Sequence, residues 1–179
     1  MSAITKTNAV LVKIQYFIMA NLFILMILLM LAQVFFRYFL EIPLAWSEEV
    51  SRYVFIVVTY VGASIAIAES SHIEINVLEY ILSKVISSSV LRQQIKNKID
   101  FFKNIITLMI SLLFSYYCLV YSIEDYKFDQ ISIALGIPLY FVSGSIFISM
   151  ILISFHSLVN SALSFNKIYY KIKKVSMEC

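Results

Sequence analysis

The residues best able to do chemistry in this chain lie between positions 37 and 53, in the stretch RYFLEIPLAWSEEVSRY. Two arginines and three glutamates stand there between two strongly apolar runs. Such groups can pair with one another, stabilise a helix start, or transfer protons as acid and base. Acid and base catalysis needs a second group in register, but Glu48 with Glu49 and Glu124 with Asp125 are adjacent and point different ways around a helix. The pattern therefore favours a structural use of these charges.

Other chemistry-bearing residues are isolated. His72 and His156 each lack a His, Cys or Glu partner at metal-site spacing, so we predict structural roles for both. Cys118 and Cys179 are too few for a disulfide framework or a thiolate cluster. The chain has neither a phosphate-binding glycine loop nor a nucleophile motif. The sequence therefore predicts no catalytic residue, no metal and no cofactor, and does not indicate an enzyme.

The composition is that of an integral membrane protein. Hydrophobic residues make up 61% of the 179 residues and charged ones only 14%, whereas a soluble domain is about half apolar and a quarter charged. Residues 1–179 are predicted to form a single all-α membrane domain, with the lipid bilayer as its surroundings. The net charge of +3 comes from dispersed basic residues, which gives no support for nucleic-acid binding.

Four apolar segments can each cross about 30 Å of hydrocarbon as a helix. They are predicted at about residues 14–36, 47–68, 104–123 and 138–162. Pro138 is expected in the first turn of the fourth helix, where its missing N–H costs nothing. Residues 74–95 carry apolar side chains at helical spacing opposite polar ones, which indicates an amphipathic helix in the membrane interface. A short helix packed on the ends of the bundle is the alternative.

Lysine and arginine indicate the orientation of these helices. They are concentrated in the N-terminal tail, after the second predicted helix and in the C-terminal tail. In the other two connections acidic residues outnumber basic ones. Because cytoplasmic flanks carry the excess of basic residues, we expect both termini to be cytoplasmic.

The charged stretch has two interpretations at this point. Ser47 can cap the second helix, and Glu48 and Glu49 suit the positive end of its dipole. Arg52 can pair with either glutamate, because it follows them by four and three residues. One interpretation is an interfacial cap with an arginine that reaches to the membrane surface. The other is a polar knot that joins the second helix to the first or to a partner subunit. The residues of this knot are Arg37, Trp46, Glu48, Glu49 and Arg52.

Small residues mark positions of close helix packing. Gly62 and Ala66 form a small-xxx-small pair in the second helix. An ion path would require charged groups in the middle of the spanning helices, but the first, third and fourth helices carry none there. An accessory or scaffold subunit is therefore the simplest interpretation. The alternatives are a small self-assembling channel or transporter with Gly62 and Ala66 at its seam, and a membrane-surface enzyme that uses Glu48, Glu49 or His72.

A set of residues spread along the chain has a recognisable order. These residues are Arg37, Tyr38, Pro43, Trp46, Glu48, Glu49, Arg52, Tyr53, Gly62, His72, Ile73 and the stretch LGIPLY at 135–140. Their order resembles that of a known family, the small membrane subunit (DctQ-like) of tripartite ATP-independent periplasmic (TRAP) transporters. The likeness runs over almost the whole chain. The block from 37 to 53 is its most specific part.

The resemblance implies a sodium-coupled importer of organic acids in the bacterial inner membrane. A periplasmic substrate-binding protein delivers the acid to a large membrane subunit, which holds substrate and sodium and moves them by an elevator-like shift. The small subunit associates with the large one as a static scaffold and holds no sodium itself. In this arrangement the knot would brace the scaffold near the periplasmic face, and residues 74–95 would grip the cytoplasmic side of the bilayer.

Overall fold

Four long α-helices make up the computed structural model, which describes residues 2–42, 44–69, 84 and 89–178. The helices are α1 (Ser2–Phe39), α2 (Ala45–Glu69), α3 (Ser89–Lys127) and α4 (Tyr140–Glu178). Each is long and apolar enough to cross a membrane, and no strand occurs among the described residues. The prediction of an all-α protein with four spanning helices is confirmed.

Three of the helices extend beyond the predicted spans. With 38 or 39 residues, α1, α3 and α4 are each about 57 Å long, nearly twice the hydrocarbon thickness. Hydropathy detects only the apolar part of such a helix. Lysine and glutamine beyond that part are polar but have high helix propensity, so the helix continues through them. The predicted interfacial helix at 74–95 falls mostly outside the described residues and stays a prediction. Its last part, residues 89–95, forms the first turns of α3.

The described helices lie in an open layer in the order α3, α4, α2, α1, and α1 also touches α4 near the chain termini. The central helix α4 packs against α3 and α2, and α2 also packs against α1. Within the described ranges α3 touches neither α1 nor α2. The central helix is the most buried: in the most apolar stretch of each helix, 39% of the residues of α4 are buried but only 6% of those of α1. As far as the described residues go, both faces of the layer are therefore available to lipid or to another protein.

Small residues bring neighbouring helices close together. A Cβ added at Gly62 would lie 3.4 Å from the Met19 sulfur, so this glycine faces α1. A Cβ at Gly144 would lie 3.6 Å from Ser122 Oγ across the contact between α3 and α4. Ala66, the other half of the predicted pair, is exposed. Gly62 thus has a packing role within the chain.

Buried side chains of the described residues are mostly polar, and serine is the commonest among them. Between α3 and α4 the hydroxyls of Ser111 and Ser154 are 2.8 Å apart, and Ser157 donates a 2.6 Å hydrogen bond to the carbonyl of Asn104. Lipid is as apolar as leucine, so apolar surface alone does not hold membrane helices together. Short polar side chains allow close approach and add hydrogen bonds between helices.

A second set of polar contacts joins α1, α2 and α4 in the half of the layer nearer the chain termini. We call Asn8, Gln15, Ser64 and His156 the polar junction. Gln15 Nε2 lies 3.2 Å from both Ser64 Oγ and His156 Nε2, and His156 Nδ1 bonds to Asn8 Oδ1. Because an amide nitrogen only donates, His156 Nε2 must accept and Nδ1 carries the proton. His156 therefore has the structural role that the sequence predicts.

The connection between α3 and α4 is compact. The Ser132 N–H donates to the Ile137 carbonyl at 2.9 Å, and the Leu139 N–H donates to the Gln130 carbonyl at 2.8 Å. Gly136 supplies the left-handed conformation of the turn, with φ of 66°. Pro138 lies in this connection two residues before α4 begins, so its predicted place in the first helical turn is wrong. Its carbonyl instead accepts the Phe141 N–H at the helix start.

Candidate functional site

The charged stretch predicted from the sequence lies where α1 leads into α2, and the connection between α3 and α4 lies beside it. We call this the loop end of the layer. Glu49 is the central residue there. Its Oε2 accepts the backbone N–H groups of Ala134 and Leu135 at 2.9 and 3.1 Å, and its Oε1 accepts the Tyr53 hydroxyl at 2.7 Å. Hydrogen bonds to a carboxylate are about twice as strong as neutral ones.

This arrangement, which we call the Glu49 clamp, fixes a turn that would otherwise have unpaired N–H groups. It holds that turn against the start of α2 although the turn is 85 residues away in sequence from Glu49. Ile133, at the tip of the turn, is fully exposed to the surroundings of the chain. The clamp therefore presents an apolar side chain on a loop of defined position.

Glu48 and Arg52 form the local ion pair that the sequence allows. Arg52 Nη2 lies 3.1 Å from Glu48 Oε1, one helical turn apart, with the two side chains 65% and 63% exposed. Exposed pairs of this kind contribute about 0.3–0.5 kcal/mol on a helix. Arg52 pairs with Glu48 because Glu49 is turned toward the loop. Of the two candidate carboxylates, Glu49 is the one that reaches another element in the part of the chain that the structure describes.

The sequence predicted that Ser47 caps α2, and this prediction is wrong. The helix begins at Ala45, and the Ser47 hydroxyl donates to the carbonyl of Leu44 at 2.8 Å instead of accepting an N–H. Ser47 is almost fully buried in the first turn. The cause is the earlier start of the helix, which places Ser47 inside it.

Arg37 and Trp46 complete the predicted knot. Both are exposed, Arg37 in the last turn of α1 and Trp46 in the first turn of α2. Within the described part of the chain neither has a hydrogen bond or ion pair to another helix. The knot therefore joins α2 to the loop before α4, rather than α2 to α1. Contact of these residues with a partner subunit stays a prediction.

A groove of about 570 Å³ opens next to the loop end. It is lined by α3 and the start of α4, with Ile56 of α2 on the remaining side, and the described parts of α2 and α3 do not pack against each other. Residues that line it include Ile56, Tyr117, Tyr121, Asp125, Ser143 and Ile146. Asp125 is only 1% exposed, and its Oδ2 accepts the Ser143 hydroxyl at 2.7 Å. We call this the Asp125 groove.

The sequence model of one protein family, described as "Tripartite ATP-independent periplasmic transporters, DctQ component", matches residues 26–166. That range is more than half of the chain and includes the Glu49 clamp, the loop it holds and the Asp125 groove. This chain belongs to the DctQ family. No curated protein matches it. DctQ proteins are components of a transporter with a large membrane subunit and a binding protein, and this family is not one of enzymes.

Several residues of the candidate site in this DctQ chain were not predicted from the sequence. Tyr53 could have been found, because it follows Glu49 by four residues as Arg52 follows Glu48. Nothing in the sequence distinguishes buried Asp125 from exposed Glu124, or identifies the loop N–H groups as partners of Glu49. Among the residues that the structure describes, no three His, Cys, Asp or Glu side chains gather as a metal site would require.

Proposed function

We propose that this DctQ chain is the scaffold subunit of a sodium-coupled importer of organic acids in the bacterial inner membrane. It would hold the large membrane subunit in place while that subunit carries substrate and sodium. Family membership supports the transporter role. The layered arrangement carries the scaffold part of the proposal, because a layer whose described helices leave two apolar faces open offers a broad surface for a second membrane protein.

Polar contacts at both ends of the layer suit a static element. The Glu49 clamp holds α2 to the connection before α4, and the polar junction joins α1, α2 and α4 nearer the termini. A subunit against which another one moves must keep its own helices fixed. Hydrogen bonds between helices supply that stiffness where apolar packing in lipid does not.

The loop end is proposed to face the periplasm and both termini the cytoplasm. The tails and the start of α3 carry lysines, whereas acidic residues outnumber basic ones at the loop end. Single cysteines at Ile133 and Lys6, in a chain whose Cys118 and Cys179 are replaced by serine, test this orientation. In intact spheroplasts we expect a membrane-impermeant maleimide to label Cys at 133 but not at 6. The reverse pattern would refute the orientation.

Reconstitution into vesicles tests the scaffold role. We expect this chain alone to carry no organic acid, and the pair with its large subunit to carry it when the loaded binding protein and a sodium gradient are present. The substrate used is the organic acid that most raises the melting temperature of the binding protein of the same transporter. Uptake by this chain alone would refute the proposal, as would full uptake by the large subunit without it.

A further inference from the structure

The carboxylate of Asp125 is buried with fewer hydrogen-bond donors than it can accept from. The side chain is 1% exposed, its Oδ2 is bonded to Ser143, and Oδ1 has no hydrogen-bond partner among the described residues. Removing an ionised carboxylate from water is costly unless a cation or several donors compensate it. One hydroxyl satisfies only a small part of the acceptor capacity of a carboxylate. Asp125 lines the groove, so a basic group that enters it would supply the rest once the carboxylate turns toward that group.

The shape of the Asp125 groove limits what can occupy it. It runs along α4 from Leu139 to Ile146, seven residues or about 10 Å, and its lining is predominantly apolar apart from the acidic end. Asp125 and exposed Glu124 lie at the end near the loops, only two or three residues before α3 ends at Lys127. An occupant must be apolar for two helical turns and positively charged at one end.

A membrane helix with an arginine or lysine near its end has this pattern, because such side chains extend toward the membrane surface. A phospholipid would bring a phosphate anion next to Glu124 and Asp125. A second copy of this chain would bring its own loop end, where acidic residues also outnumber basic ones. Charge therefore favours a helix from a different protein over lipid or self-association.

We propose that the Asp125 groove is the seat of a transmembrane helix of the large subunit, and that a basic side chain of that helix pairs with Asp125. This proposal rests on the proposed function. It adds a specific place of contact, which lies on the face of the layer where α2 and α3 are separated. It also assigns to Asp125 a partner-binding role, which is separate from the partner contact predicted for the charged stretch at 37–53.

Site-specific photocrosslinking in membranes tests the place of contact. p-Benzoylphenylalanine, which resembles tyrosine in shape, replaces Tyr121 in the groove wall or, as the matched control, Tyr116. The two positions lie about 140° apart around α3, and both side chains are exposed in the chain alone. With the large subunit co-expressed, we expect Tyr121→Bpa to yield a product of the two subunits and Tyr116→Bpa to yield little.

Asp125→Asn tests the charge. Asparagine keeps the shape of the side chain and an oxygen that accepts from Ser143, so the fold is retained, and the melting temperature of the isolated variant checks this. Its affinity for the large subunit in detergent is expected to fall about tenfold or more, as for truncation of one partner of a buried charge pair. Glu124→Gln, an exposed neighbour, is expected to change the affinity much less.

Three results would overturn the proposal: a Tyr121 product that contains only lipid or a second copy of this chain, a Tyr116 yield equal to that of Tyr121, or an unchanged affinity for Asp125→Asn. If the subunits still co-purify in those cases, only the groove assignment fails and the scaffold role stands. If the unmodified subunits do not associate at all, the proposed function fails together with the groove assignment.

Discussion

Replacing Glu49 by alanine is expected to lower the free energy of unfolding by more than replacing Glu48 does, because three hydrogen bonds to the Glu49 carboxylate are lost and two of them come from another part of the chain. The variant loses the acceptor for the Tyr53 hydroxyl and for the N–H groups of Ala134 and Leu135. The turn at the loop end would then keep its own backbone bonds and the bond from the Ile137 N–H to the Ser132 hydroxyl, but would lose its attachment to α2. Thermal unfolding in detergent, calibrated against denaturant unfolding, measures the loss.

Glu48→Ala is the matched control, because it removes a glutamate from the adjacent position and breaks only the exposed pair with Arg52. Its cost is expected to be about 0.5 kcal/mol or less. Limited proteolysis gives a second readout, in which Glu49→Ala exposes the loop around Ile133 to cleavage while Glu48→Ala does not. Equal effects of the two substitutions would show that Glu49 does not hold the loop.

Replacing His156 by leucine is expected to destabilise the chain by about 1–3 kcal/mol, because it leaves polar partners of a fully buried side chain unpaired. His156 bonds to Gln15 and to Asn8, and thereby ties α1 to α4, which otherwise touch only slightly. We expect α1 to separate from the layer before the other helices do. Unfolding followed by a fluorophore at an exposed position of α1 and by circular dichroism of the whole chain measures this order.

The control for His156→Leu is Asn21→Leu. Asn21 is an exposed residue of α1, and its amide donates only to the Phe17 carbonyl in its own helix. Its replacement at this exposed position should leave the stability close to that of the parent chain. If His156→Leu is as stable as Asn21→Leu, the polar junction does not hold α1 in place.

Both predictions reflect the same physical situation. Helices in a layer with two open faces bury little apolar surface, and burial against lipid gives no preference for one neighbour over another. Hydrogen bonds between named side chains therefore decide which helices stay together. In a soluble protein of this size, substitution of a core leucine would have a larger effect than substitution of these polar residues.

The amino-acid sequence by itself determined the helical class, the four crossings and the position of the charged stretch. These follow from local properties, because backbone groups in lipid must bond within their own helix and apolar length sets the crossing. The pair of Glu48 with Arg52 belongs to the same category, since helical spacing alone brings them together. The order of residues from 37 to 140 also carried the family resemblance.

Only the tertiary structure decided which helices are neighbours and which polar residues meet. Glu49 bonds to a loop 85 residues away, and Asp125 rather than Glu124 is the buried acid of its pair. Lipid-facing and protein-facing surfaces of a membrane helix are both apolar, so hydropathy does not distinguish them. The helix order α3, α4, α2, α1 and the groove that it leaves open depend on those contacts between distant residues, which local patterns do not encode.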